Sequence, residues 1–255
     1  MKFTARRLSF FTVLIFAVRI FAASPSAAVE SFSQNHPLPA NGEITVVNNR
    51  GTITVRTWDR AEVRIEGEKH AATPQELRLV RVEVDPAPSH LTVQTALPRD
   101  QPGGGATVRA EVQLTLTVPV TASVRRIETV NASVTIDGVH GDVRVRAVNG
   151  PVQAKGLAAD AVLDTVNGSI HAEFTSVKAG QKITVHSVNG AVTLALPKDA
   201  DVAVQAETIN GSVASELPLQ PTGTVARNRL NGTLGSGSAA LKVDTVNGGI
   251  RLVPE

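Results

Sequence analysis

The 255-residue chain carries 25 basic and 23 acidic residues and no cysteine, which excludes disulfides, thiol catalysis, zinc–thiolate sites and a lipid-modified N-terminal cysteine. Its formal charge of +2 comes from the first 28 residues, where Lys2, Arg6, Arg7 and Arg19 meet no acid; the remaining 227 residues carry −2. That balance gives no reason to expect nucleic acid or an anionic membrane surface as partner.

Residues 1–28 read as a signal peptide. A basic start precedes the apolar run Leu8–Ala23, broken only by Arg19, and Ser26-Ala27-Ala28 supplies small residues for cleavage. This is the order of a secretory signal. Arg6-Arg7 also raises a twin-arginine route. The run is shorter than the ~20 residues a spanning helix needs, so cleavage is expected, and membrane attachment only through an uncleaved signal. No later stretch is long enough to span, and nothing before Glu255 reads as a hydrophobic anchor. The expected location is therefore periplasm, cell surface or medium.

Residues 29–39, with Pro37 and Pro39, are expected to form a linker. Residues 40–119 form an irregular β region. Ile44 and Val46, Ile53 and Val55, and Val63 and Ile65 alternate with polar residues, the period-two signature of strands. Thr73-Pro74-Gln75-Glu76 allows one short helical turn. Leu77–Val84, Leu91–Val93 and Val108–Val118 read as further strands, and Gln101–Gly105 as a flexible loop. The region is either a cap or the opening coils of the repeats C-terminal to it.

Residues 120–255 are repetitive. The word Thr-Val-Asn-Gly, or a close variant, recurs around Asn131, Asn149, Asn167, Asn189, Asn210, Asn231 and Asn247, at separations of 18, 18, 22, 21, 21 and 16 residues. Val47-Asn48-Asn49-Arg50-Gly51 is a degenerate outlier. The residue before each Asn is aliphatic, as is the third residue after it; positions four and six before it are mostly apolar. Phe32, Trp58 and Phe174 are the only aromatic residues beyond the signal, which suits a narrow lumen of Val, Ile, Leu and Ala better than a wide globular core.

Each unit reads as strand, Asn-Gly corner, strand, variable loop, with glycine supplying positive φ. The predicted fold is an all-β, single-domain β-solenoid with an aliphatic lumen. Its structural corners are the seven asparagines, stacked with their amides bonded along the axis. A meander of Asn-Gly hairpins is the alternative, but it does not require repeated core identities. Three residues before each Asn stand Glu128, Arg146, Asp164, His186, Glu207, Asn228 and Asp244. With coils stacked in chain order, the first five alternate in potential charge along one edge.

Chemical machinery is not evident. His36, His70, His90, His140, His171 and His186 lack close metal-ligand spacing, and Asp137–Asp142 lacks the glycine-rich nonapeptide of calcium-binding β-rolls. Gly103-Gly104-Gly105 has no following Gly-Lys-Ser/Thr, and Gly235-Ser236-Gly237-Ser238 is no nucleophile elbow. Asp160 with Asp164, or Glu207 with Asp164, are the acid pairs open to a polysaccharide-active solenoid, though solvated loop or corner acids are the expectation. No catalytic residue, cofactor or metal is expected.

The segments Asn48–Val55, Trp58-Asp59-Arg60-Ala61-Glu62-Val63 and Leu116-Thr117-Val118-Pro119, followed by the Asn-Gly repeats, span about residues 40–253. In this order they resemble the bacterial putative-adhesin family of unknown function, related to adhesin-head β-solenoid domains. Asn131-Ala132 departs from the pattern, implying a looser first corner. The resemblance implies an exported β-solenoid, with adhesion as a proposed label, and transfers no catalytic residue. The functional expectation is a non-enzymatic cell-envelope protein, an adhesin or binding scaffold for an unknown envelope protein or polymer. The alternatives are an envelope element that self-associates through its solenoid ends and, third, a polysaccharide-active β-helix enzyme.

Overall fold

The computed structural model describes residues 28–96, 110–223 and 225–255. The expected signal, Ala28 apart, and the expected loop at 101–105 lie outside the described residues. The first half contains β1 (Ala28–Pro37), β2 (Glu43–Trp58), β3 (Glu62–Ala71), the turn α1 (Pro74–Leu77), β4 (Arg81–Pro86), β5 (His90–Ala96) and β6 (Ala110–Pro119). The repeat region supplies β7 (Ser123–Asp137), β8 (Val143–Asn149), β9 (Val152–Leu157), β10 (Ala161–Asn167), β11 (Ile170–Phe174), β12 (Lys182–Asn189) and β13 (Val192–Leu196). It continues with β14 (Val202–Asn210), β15 (Val213–Ser215), β16 (Gln220–Pro221), β17 (Arg229–Leu234), β18 (Ala239–Asn247) and β19 (Ile250–Pro254).

The strands form one all-β, solenoid-like sheet with two runs. The first run is ordered β4, β5, β2, β7, β8, β10, β12, β18, β14, β17, β16. The second is ordered β1, β3, β6, β2, β7, β9, β11, β13, β19, β15. The long strands β2 and β7 belong to both. Pairing is parallel from β5 to β14 in one run and from β6 to β15 in the other; antiparallel strands flank the first block at both ends and the second beyond β6. Inward residues of both runs, among them Ile44, Val145, Leu163 and Val185 with Ile53, Val152, Ile170 and Leu194, join one buried cluster. Each such side chain contributes roughly 1.5–3 kcal/mol by leaving water. Phe174 is the largest fully buried side chain and sits where the β11–β9 register shifts.

Two boundaries differ from the sequence expectation. The presumed linker at 29–39 is mostly strand β1, paired antiparallel with β3. Its anchor is Phe32, whose ring lies where a Cβ on Gly67 would be, 2.3 Å from that position; Lys69 faces the ring at 5.9 Å and holds Glu30 at 2.8 Å. The prolines fall at its end and beyond, so they do not prevent pairing. Within 40–119, β2 stacks in parallel on β7, and β5 and β6 stack in parallel on β2, whereas β3 and β4 pair antiparallel. The helical turn lies where Thr73 accepts from the Glu76 N–H at 3.2 Å, and the chain is extended again from Arg81.

Coil order is not chain order. β18 inserts between β12 and β14, and β19 between β13 and β15. The chain first lays β14 one position out, turns back along its outer edge as antiparallel β17, then returns through Gly235–Ser238 to fill the gap. Gly235 and Gly237 take φ values of +66° and +77° in that crossing, conformations open to glycine. Asp201 holds the crossing by accepting from Ser236 Oγ at 2.7 Å and from the Gly237 and Ser238 N–H groups.

Candidate functional site

The four letters of the repeated word have four physical jobs. At the first position Thr129, Ala147, Thr165, Ser187, Thr208 and Thr245 are buried. Four of these hydroxyls donate to the glycine carbonyl of the adjacent coil: Thr165 to Gly150, Ser187 to Gly168, Thr245 to Gly190 and Thr208 to Gly248, at 2.8–3.5 Å. At the stack's end, Thr129 Oγ1 is buried without a partner. Its neighbour β2 presents Asn48 at that level, and Asn48 is engaged with Val112 O and Thr95 Oγ1, both at 2.8 Å.

The second letter corrects the predicted lumen. Val130, Val148, Val166 and Ile209 are 40–66% exposed; they do not line the interior. The cause is parity. Positions four and two before Asn point inward, so the position just before Asn points outward. The aliphatic column lies on the surface beside the asparagines.

The asparagines of six copies form a continuous amide ladder. Asn149 donates to Asn131, Asn167 to Asn149, Asn189 to Asn167, Asn247 to Asn189, and Asn210 to Asn247, each at 2.8 Å. Each inner amide donates once and accepts once, a chain in which bonds reinforce one another. Asn231 is not among them. It lies on antiparallel β17 opposite Gln205, which corrects its assignment as a stacked corner. The sequence held a signal for this: Arg229 occupies the first letter, where the stacked copies bury a small side chain. Arg229 instead pairs with Glu207 at the surface. The ladder ends at Asn131 because its β2 counterpart is Arg50.

Glycine, the fourth letter, is required by proximity more than by φ. A Cβ on Gly168, Gly190, Gly211 or Gly248 would lie 2.0–2.1 Å from the glycine carbonyl oxygen of the adjacent coil. Only Gly51 and Gly150 of this column have positive φ, +123° and +137°, so the expected conformational role holds for them alone. Ala132 stands beside Gly51 at the end of the column.

Beside the exposed aliphatic column runs the charged one. In spatial order it is Glu128, Arg146, Asp164, His186, Asp244 and Glu207. The inserted β18 breaks the expected alternation by setting Asp244 next to Glu207. Arg146 approaches Asp164 at 3.8 Å with 75% of its side chain exposed, a pairing of small energetic weight. Between the two columns lies a groove of about 580 Å³ that includes Glu128, Arg146, Asp164, Val130, Val148 and Val166. It shares Glu128, Arg146 and Asp164 with a hollow of about 770 Å³ around Arg125, Arg126, Arg144 and Arg146. A bulge in β7 turns both Arg125 and Arg126 outward. The Arg125 guanidinium bonds Glu43 at 2.7 Å and holds that carboxyl below its ordinary range; Arg126 does the same to Glu128.

The acids and histidines weighed for acid-pair or metal chemistry lie on separate parts of the fold. Asp160 accepts from the Lys182 N–H at 2.9 Å, fixing the loop between coils. Glu207 neighbours Asp244 and not Asp164. His171 lies on β11 opposite Thr193, whereas His186 lies on β12 in the other run. No group of three or more metal-ligating side chains occurs among the described residues. Trp58 donates to Glu62 O at 2.8 Å and lies under Arg60 and Arg64, 5.0 and 5.6 Å from its ring centre, which occupies it locally. No helix among the described residues is long and apolar enough to cross a membrane.

A family model described as Toastrack DUF4097 matches residues 43–253. No curated protein matches the chain. Among solved structures, a putative cell adhesion protein from Clostridium sporogenes is similar over 89% of this chain and 100% of its own, with 12% identity and a TM-score of 0.53. A putative adhesin from Bacteroides fragilis has 14% identity, with 88% and 97% of the two chains covered, and a putative lipid binding protein from Parabacteroides distasonis 10%, with 87% and 96% covered. Both of these have a TM-score of 0.31, too low to bear on the fold.

Proposed function

The chain belongs to the Toastrack DUF4097 family, and from that premise we propose that it is an exported, non-enzymatic binding scaffold of the cell envelope. It uses its Asn-Gly edge as an adhesin-like surface. In this reading the stacked asparagines are structural corners and the antiparallel strands before β7 cap the N-terminal end.

One observation carries the proposal. An aliphatic row that a soluble chain would ordinarily bury is held in water along the corner, beside a charged row and above a groove. Rigid parallel stacking repeats each contact at about 4.8 Å, so the surface is linear and preorganised, as a partner made of an extended protein or polymer requires. The Clostridium sporogenes protein that shares this fold bears a cell-adhesion name, which makes envelope components the first partners to try. The scattered acids and histidines support no competing enzymatic reading.

The test combines fractionation with binding. The expected product is processed and found outside the cytoplasm, and it binds an envelope protein or polymer in a screen of both. Replacing Val148 and Val166 by Lys abolishes that binding while the fold survives. An uncleaved cytoplasmic product refutes export, and undiminished binding by the folded double variant refutes the groove.

A further inference from the structure

A sheet that does not close leaves edges, and among the described residues this one has four. Three are blunted in ways that discourage pairing. β4 carries Arg81, Glu83 and Asp85 and ends at Pro86. β16 has two residues, the second of them Pro221. β15 has three residues, and Pro218 follows shortly after.

The fourth edge, β1, has none of these devices. It is ten residues long, Glu30 is its one acidic residue, it has no Lys or Arg, and its Pro37 lies at the end. Among the described residues β3 is its only partner.

The free side of β1 can be read from its register. Leu38 donates to Ala61 O at 3.2 Å, and the same register pairs His36 with Val63 and Gln34 with Ile65. Antiparallel bonding alternates along a strand. The even-numbered residues therefore bond β3, while the N–H groups of Val29, Ser31, Ser33 and Asn35 point away from it.

We propose that two copies of this chain pair antiparallel through the free edges of β1 about a two-fold axis, joining their sheets into one. The blunt far end excludes the head-to-tail stacking that would give filaments, so the contact closes as a dimer. Antiparallel pairing of a strand with itself is self-complementary in its backbone groups. With Ser33 on the axis, Ser31 faces Asn35, and Glu30 faces His36 of the partner subunit. No like charges meet. The interface lies on β1 and is independent of the groove, so either proposal can fail alone.

The test uses the full gene product, purified in the form the cell leaves it. Sedimentation velocity across a concentration series is expected to show a monomer–dimer equilibrium. Ser33→Pro removes an outward N–H from the middle of the free edge without touching a β1–β3 bond, a placement that edge strands tolerate. It is expected to weaken dimerisation by about tenfold or more.

Cross-linking tests the register separately, in a chain that has no native cysteine. Residues facing each other in a hydrogen-bonded antiparallel pair have Cα atoms about 5.5 Å apart, within disulfide reach. Ser33→Cys alone is therefore expected to form a covalent dimer on oxidation. Ser31→Cys and Asn35→Cys are each expected to fail alone and to cross-link when mixed. A monomer at every concentration, a dimer indifferent to a folded Ser33→Pro variant, or the absence of the Ser33→Cys cross-link overturns the proposal.

Discussion

Replacing Gly190 by alanine tests why the repeats need glycine. The new Cβ would lie 2.0 Å from the Gly168 carbonyl oxygen and 2.5 Å from its carbonyl carbon, where ordinary contact begins at 3.4 Å. Both obstacles are backbone, so the two coils must part. Among the bonds across that seam, three lie at the corner itself: Gly168 N–H to Asn189 O at 3.1 Å, Asn189 Nδ2 to Asn167 Oδ1 at 2.8 Å, and Ser187 Oγ to Gly168 O at 3.3 Å. At about 0.5–1.5 kcal/mol net for each, the expected loss is about 3 kcal/mol.

Gly180→Ala is the matched control. Gly180 has φ +80°, and an added methyl would meet nothing within 4 Å. Its substitution adds about 1–2 kcal/mol of backbone strain, partly offset by about 0.4–1 kcal/mol of reduced unfolded-state entropy. Urea unfolding followed by far-ultraviolet circular dichroism gives both values. If Gly190→Ala destabilises no more than Gly180→Ala, close approach is not what the glycine column provides.

Three further outcomes are expected. Asn189→Ala removes two rungs of the amide ladder and costs about 1–2 kcal/mol, whereas Asn231→Ala, outside the ladder, stays within about 0.5 kcal/mol; denaturation midpoints compare them. Val166→Lys leaves stability within about 0.5 kcal/mol by the same measurement, because the side chain already faces water; a loss of several kcal/mol would return the valine column to the interior. Hydrogen bonds from Ser236, Ser238 and nearby backbone N–H groups lower the Asp201 pKa from 3.8 to about 2. The folded state then binds fewer protons than the unfolded, so this stabilisation is complete above pH about 4 and lost as pH falls toward about 2. Asp201→Asn is expected to flatten that part of the acid limb, and an unchanged limb contradicts the assignment.

The sequence by itself established the class and the stacking unit. Period-two alternation and β-branched composition specify strands because the pleat sends successive side chains to opposite faces. Near-identical words at Asn131, Asn149, Asn167, Asn189, Asn210 and Asn247 specify stacking because equal positions in contact need like residues. Parity had also encoded the outward face of Val130 and Val166, and Arg229 the exclusion of Asn231; reading every aliphatic as interior concealed both.

Tertiary structure decided the rest. β18 lies between β12 and β14 because the chain can return through Gly235–Ser238 after β17 has paired on the outside, and a repeated word satisfies any neighbour of the same register. The groove between the valine and charged columns lies on β2, β7, β8, β10 and β12, which stack in chain order, whereas the insertion sets Asp244 beside Glu207 further along the charged column. Linear spacing fixes what each residue can do within its own coil. Which coil it meets is fixed by backbone pairing across the whole sheet, a long-range choice that identical repeats leave open.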